Sequence, residues 1–217
     1  RLFTVHIARS AAELAEVHKL RYQVYCTERN FLPGNNGWEM DDYDDHAVHV
    51  ALRRRSGELI GTVRLVVGLA HRPETSFPMQ ALCPDGLLGE LALPIEKIGE
   101  VSRFAISRAR RDGDSRTDVL LRLALMRGVL QASIEAGVTH WCAIMEASLF
   151  RLLRQVGVDF IPIGAPIIYN GIRRAAVAEI AEVLAQSRDE RPELWNYVTE
   201  DGRLATPELG YMPVPAW

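Results

Sequence analysis

The sequence is poor in the features that would decide its chemistry at a glance. Cysteine is scarce: Cys26, Cys83 and Cys142 are odd in number, far apart and set among apolar neighbours. No two have metal-ligand spacing, so a disulfide framework and a cysteine metal site are both excluded, and reduced, packed thiols of a cytosolic protein are expected. No apolar run approaches the ~20 residues needed to span a bilayer. No charged-then-apolar leader opens the chain, which gives a soluble, cytoplasmic expectation. A net charge of −3 offers no global attraction for nucleic acid, so any basic site must be local. H-E-x-x-H, a nucleophile elbow, a Cys–His pairing, an internal repeat and low-complexity tracts are all missing from the sequence. His46, His49, His71 and His140 read as ordinary strand and loop residues.

What is present is an ordinary globular composition, 48% hydrophobic and 24% charged over 217 residues. That length buries a sizeable core. "RLFTVHIA" reads as a strand. A helix follows in "SAAELAEVHKLRYQVY", with Ser10 and Glu13 at capping-box spacing and Leu14, Val17, Leu20 or Arg21, and Val24 at helical period. "HAVHVALRRR" and "GELIGTVRLVVG" form a hairpin about "RSGE". Residues 69–98 hold several Pro and Gly with little periodicity and read as a long loop or insertion. "EVSRFAIS" and "HWCAIME" are strands, flanking a buried helix in "TDVLLRLALMRGVLQASIEAG". "ASLFRLLRQVG" is a helix closed by Gly157, "DFIPIG" and "PIIYNGI" are strands, and a helix is expected from about Arg174 to Gln186. The order alternates β and α around one sheet. The expectation is a single domain over residues 1–217, with 188–217 as a C-terminal extension.

Several charges sit where such a fold buries them. Arg64 lies inside "GTVRLVV", apolar on both faces, and an unpaired guanidinium there would cost several kcal/mol. Glu100 and Arg103 bracket "EVSRFAI", and Arg21 falls on the apolar stripe of the first helix. "EMDDYDD", residues 39–45, packs five carboxylates into seven positions. The simplest arrangement turns Asp41 and Asp44 inward as counter-ions for the arginines, with Tyr43 closing the site and the other acids in water. A metal held by Asp41 and Asp44 is disfavoured by the interspersed arginines.

In order, Arg21-x-x-x-Tyr25-x5-Phe31, Glu39-x-Asp41-x-Tyr43-Asp44, Gly61-x-x-Arg64-Leu65 and Glu100-x-Ser102-Arg103-Phe104 resemble the acyl-homoserine-lactone synthases of the LuxI type. The resemblance is closer to a sister group. "RYQVYCTERNFLP" and "GVDFIPIGAPIIYNGIRR" are similar to the acyltransferases associated with PEP-CTERM/exosortase systems, grouped with long-chain N-acyl amino acid synthases. It implies an α/β (α+β), acetyltransferase-like (GNAT) fold, with a central mixed, mostly antiparallel twisted sheet flanked by helices. It further implies transfer of a long-chain acyl group from a carrier-protein or CoA thioester to an amino acid. Homoserine-lactone synthesis from S-adenosylmethionine and non-catalytic acyl-thioester binding stand as alternatives. Phe31 replaces the tryptophan usual in the lactone synthases, and Trp38 comes seven residues later, which favours a free amino acid acceptor.

The resemblance places Glu100, Ser102 and Arg103 at the reacting centre. Arg21, Tyr25, Phe31, Trp38, Asp41, Asp44 and Arg64 fall around the acceptor. Glu100 is a candidate base or a structural partner of an arginine, and Arg103 a fork for the acceptor's carboxylate. A bulge in the Val101–Ile106 strand would free backbone N–H groups for the thioester oxygen. Arg108, Arg110, Arg111, Gly113 and Arg116 precede a helix N-terminus, where a phosphopantetheine arm and an acidic carrier protein are expected to dock. No tightly bound cofactor, no metal and no nucleic-acid partner are expected, and membrane contact only through the lipidic product.

Overall fold

The computed structural model describes residues 3–33, 36–83, 93–110, 115–155, 157–169 and 171–211. Its strands form a seven-stranded sheet in the order β1-β2-β3-β4-β5-β7-β6. Of the described strand pairs, β4 with β5 is parallel and the others are antiparallel, the mixed sheet expected from the sequence. The chain divides into two compact units, residues 1–65 with 102–132, and residues 66–101 with 133–217.

In the first unit, β1 (Phe3–Ile7) pairs with β2 (Ala47–Arg54), Phe3 opposite Arg54 and Ile7 opposite Val50. Between them, α1 (Ala11–Tyr22) starts at the expected capping box, with the Ser10 side chain on the Glu13 N–H and the Glu13 carboxylate on the Ser10 N–H. The β2–β3 hairpin turns where "RSGE" places it: Gly57 takes φ +91°, a left-handed value a Cβ would strain, and Arg54 N–H bonds Glu58 O at 2.9 Å. β3 (Leu59–Val67) is buried along nearly its whole length. Successive strand residues face opposite sides of a sheet, and β2 uses both. Ala51 packs with Val17 and Leu20 of α1. Its neighbour Val50 lies against Gly128 of α3 (Ser115–Ala136), where an added Cβ would meet Val50 Cγ1 at 2.3 Å.

In the second unit, α2 (Pro78–Leu82) lies within the 69–98 segment expected to be a loop. The start of β4 (Ile98–Ile106) pairs with β5 (His140–Glu146), Glu100 opposite Cys142. Phe150 and Leu153 of α4 (Ala147–Gln155), with Phe160, cover Ala143, Met145 and Ala176. β6 (Ile161–Ile168) and β7 (Ile172–Glu179) form the last hairpin, followed by α5 (Ile180–Glu190) and α6 (Pro192–Thr199). The helix expected from Arg174 therefore begins six residues later. "RRAAVAE" has helical composition, but Arg174–Glu179 pairs residue by residue with β5, Met145 to His140, and sheet pairing overrides propensity.

Candidate active site

Three arginines and three carboxylates close into one ring in the first unit. Arg21, fully buried on α1, meets Glu39 through Nε and grips Asp44 with both terminal nitrogens, at 2.6 and 3.2 Å. Arg64, 0% exposed on β3, reaches Asp44 at 2.7 Å and Asp41 at 2.6 and 3.2 Å. Arg103, on β4, completes the circuit by donating to Glu39 and to Asp41, each at 3.0 Å. Every arginine bridges two carboxylates, every carboxylate bridges two arginines, and the formal charges cancel. Such balance lets six charged groups share a largely shielded place, because each charge meets an opposite one.

The loop forms this way for local reasons. Asp41 is the N-cap of the short 3₁₀ turn Asp42–His46, its Oδ1 accepting the Tyr43 N–H at 3.1 Å while Asp44 Oδ2 accepts the Asp41 N–H at 2.8 Å. This reciprocal cap faces both carboxylates to the arginines and leaves Asp42 and Asp45 exposed, as expected. Burial alone would raise the Asp44 carboxyl, but its bonds to Arg21 and the charges of Arg21 and Arg64 outweigh that and hold it well below the carboxylate range. Burial likewise opposes the charge on Arg64, and Asp41 and Asp44 more than restore it.

Arg103 stands in an unusual place. Its φ of +51° is left-handed within a β-strand, a conformation costing about 1–2 kcal/mol for a side-chain-bearing residue. Its effect is visible in the contacts. Neighbours on a regular strand face opposite sides, yet Ser102 Oγ accepts from Arg64 Nε at 3.1 Å while Arg103 reaches Glu39 and Asp41. The left-handed φ at Arg103 interrupts the regular alternation, so both side chains reach the same ring.

Glu39 is the ring member the sequence reading left in solvent. It is buried, and its main chain is clamped to α1: its N–H donates to His18 O at 3.3 Å and its carbonyl lies 3.2 Å from His18 Nδ1. The His18 ring stands edge-on to His49, whose Nε2 is 3.6 Å from Asp44 Oδ1. His49 is not an ordinary strand residue. Burial, with help from Arg21, His18 and Arg64, overcomes the pull of Asp44 and lowers its pKa to about 4, so the ring is uncharged near neutral pH.

A pocket of about 230 Å³ opens on this ring, lined by Leu32, Pro33, Trp38, Met40, Glu39, Asp41 and Arg103. Trp38, 37% exposed, carries Lys19 Nζ 5.3 Å from its ring centroid. Tyr25 lies on a π-helical turn, Gln23–Glu28, that extends α1. Its hydroxyl donates to Phe104 O at 3.2 Å, its ring lies 5.7 Å from the Arg103 guanidinium, and burial pushes its hydroxyl pKa up. Phe31, half-buried, sits beneath Arg29 and is not among the residues lining that pocket.

The remaining expected residues fall elsewhere. Glu100 belongs to the second unit, 4% exposed, where its carboxylate accepts the Met79 N–H at 2.9 Å. Glu39, not Glu100, is the third anion of the ring. Arg108 and Arg116 are exposed, whereas Arg110 is half-buried and donates to Leu59 O at 2.8 Å. Arg111 and Gly113 lie outside the described residues. Among the described residues no group of His, Cys, Asp or Glu could hold a metal, and no helix is long and apolar enough to cross a membrane.

Residues 20–121, which carry the whole ring, match the acetyltransferase (GNAT) domain. No curated protein matches the sequence. Among solved structures, TofI, determined in a ternary complex with an inhibitor and MTA, is 27% identical over 89% of this chain and 100% of its own, with a TM-score of 0.65. FeeM, an N-acyl amino acid synthase from uncultured soil microbes, is 19% identical over 85% and 94%, with a TM-score of 0.61. BjaI, a CoA-dependent acyl-homoserine lactone synthase solved with SAM and isopentyl-CoA, is 23% identical over 94% and 90%, also at 0.61. The acetyltransferase (GNAT) domain matched over residues 20–121, with the shared fold, supports an acyltransferase enzyme.

Proposed function

We propose that the chain is an N-acyltransferase that moves a long fatty acyl group from a phosphopantetheine thioester to the amine of an amino acid. The observation that carries this reading is the pocket on the ring, which offers both signs of charge beside an apolar wall. A free amino acid is a zwitterion and needs both. Glu39 and Asp41 attract its ammonium, and Arg103, with Nε and Nη2 engaged by the ring, meets its carboxylate through the rest of the fork.

An α-amine has a pKa near 8, so it is mostly protonated at neutral pH and must lose a proton before attack. In the proposed reaction Glu100 accepts that proton, directly or through water. The amine nitrogen bonds the thioester carbonyl carbon and the C–S bond breaks. The nitrogen's second proton leaves with the sulfur as the thiol, and the proton taken by Glu100 passes to water. Backbone N–H groups beside Arg103 stabilise the oxyanion between the two steps. Arg108, Arg110, Arg111, Gly113 and Arg116 receive the donor's phosphopantetheine or its acidic carrier protein.

Mass spectrometry of lipids from a host expressing the chain tests the assignment. A new series of N-acyl amino acids is expected, and its absence from a host with abundant soluble protein refutes it. Glu100→Gln should give a folded protein that makes no amide, and unaltered turnover removes Glu100 from the chemistry. A second reading, acyl-homoserine-lactone synthesis, is favoured by the same two carboxylates beside Trp38, which would also suit a sulfonium cation. Consumption of S-adenosylmethionine separates the two.

A further inference from the structure

The β6–β7 hairpin of the second unit exposes apolar side chains in an unusual way. Ile168 closes β6 at 92% exposure and Ile172 opens β7 at 74%. The two are register partners across the turn, so both project to the same side of the sheet. Along β7, Ile172, Arg174 and Ala176 alternate onto that side, and Ala176 is covered there by Phe150 and Leu153 of α4. The outer surface of α4 is apolar and basic as well, exposing Leu149, Leu152, Arg151 and Arg154.

What kind of partner fits is decided by backbone and charge. β6 is the last strand of the sheet, but Pro162 and Pro166 deprive it of two N–H donors, so it is a poor template for an added strand. Ile168 and Ile172, at 92% and 74% exposure, suit insertion rather than receipt of a side chain. Arg154 is paired with Asp159 at 3.6 Å. Arg174 donates to the neutral Gly164 carbonyl at 3.0 Å and takes part in no ion pair among the described residues. Tyr169, an aromatic with a polar end, lies at the turn within cation–π reach of Arg173, 5.6 Å away. Exposed aliphatic residues at a tip, a tyrosine beside them and arginines behind them are the chemistry of an anionic membrane surface.

We propose that the Ile168–Ile172 tip, with Arg174 and the outer face of α4, docks this chain on an anionic lipid bilayer. The isoleucines enter the acyl–headgroup boundary, and Arg174 and Arg151 meet lipid phosphates. The proposal rests on the acyltransferase reading only for its purpose, since a bilayer would take up a long-chain product. It reaches beyond membrane contact through the product alone.

The test is co-sedimentation of the full chain with phosphatidylglycerol-containing vesicles and with pure phosphatidylcholine vesicles. The wild type is expected to sediment with the anionic vesicles, less so as salt is raised. Ile168→Ser and Ile172→Ser should each weaken partitioning about tenfold, and Arg174→Glu should weaken it further, with thermal midpoints unchanged. No sedimentation of the wild type, or equal sedimentation of the isoleucine variants, overturns the proposal. So does binding of an acidic carrier protein that the isoleucine substitutions abolish while vesicle binding persists, which assigns the tip to a protein partner. Sedimentation needs no turnover, so failure here and failure to find an N-acyl amino acid are separately visible.

Discussion

Arg64→Met is the sharpest test of the charge ring. Arg64 is fully buried and holds Asp41 at 2.6 Å and Asp44 at 2.7 Å, with a further bond to Ser102 at 3.1 Å. Its loss leaves three carboxylates facing two guanidinium groups. Breaking a buried pair in this way costs about 3–5 kcal/mol, a large part of the ~5–15 kcal/mol that holds a domain together. The ring topology adds a finer expectation. Removing Asp41 as well, in Arg64→Met/Asp41→Asn, leaves Arg103–Glu39–Arg21–Asp44 as an open but neutral chain of contacts. The double variant should therefore be more stable than the sum of the single losses by about 1–3 kcal/mol. Urea unfolding followed by circular dichroism measures both, provided the slope m is unchanged. A single-variant cost below ~1 kcal/mol, or strict additivity of the pair, refutes a shielded and charge-balanced ring.

His49 sets a pH window. Its folded pKa of about 4 lies below the ordinary 6.5, so as pH falls the unfolded chain takes up the proton first. Its contribution is complete above about pH 6.5 and is lost on descent to about 4, roughly 3 kcal/mol in all. His49→Phe should flatten the stability profile in that window, and an unchanged profile would place the titration elsewhere. Asp44, held low, loses its contribution only on further acidification below about 3.8. Gly128→Ala drives a methyl to 2.3 Å from Val50 Cγ1 and 3.0 Å from Val5 Cγ2. It should destabilise by about 1–3 kcal/mol although alanine is the better helix former, and a higher melting temperature would contradict that packing. Arg108→Glu/Arg116→Glu, both at exposed positions, should raise the donor's KM several-fold and leave the acceptor's unchanged. Equal effects on both substrates would remove these arginines from donor docking.

Much of the site was legible because burying charge is expensive. An arginine inside "GTVRLVV" demands anions, and only one stretch of the chain offers them at such density. Arg21, Asp41, Asp44, Arg64 and Arg103 follow from that requirement alone. Glu39 did not, because Glu100, buried on its own strand, already supplied a third anion to match three cations. The count was right and one member wrong. The resemblance carried the missing signal, since Glu39 heads the Glu39-x-Asp41-x-Tyr43-Asp44 block. The His18 clamp on Glu39 is a tertiary contact across 21 positions, and no local pattern announces it. Capping box and hairpin turn were readable because each is written within a few residues. "RRAAVAE" misled for the opposite reason: its strand is imposed by a partner some 30 positions away.

A closed alternating circuit has a consequence for how such a sequence can change over time. Parity is built into it, because positive and negative positions must come in equal number for the loop to close. A mutation that alters one of the six charges strands two neighbours at once, whereas paired losses on adjacent positions leave a shorter neutral string. Drift at these six positions should therefore proceed by compensated couples, with single losses rare.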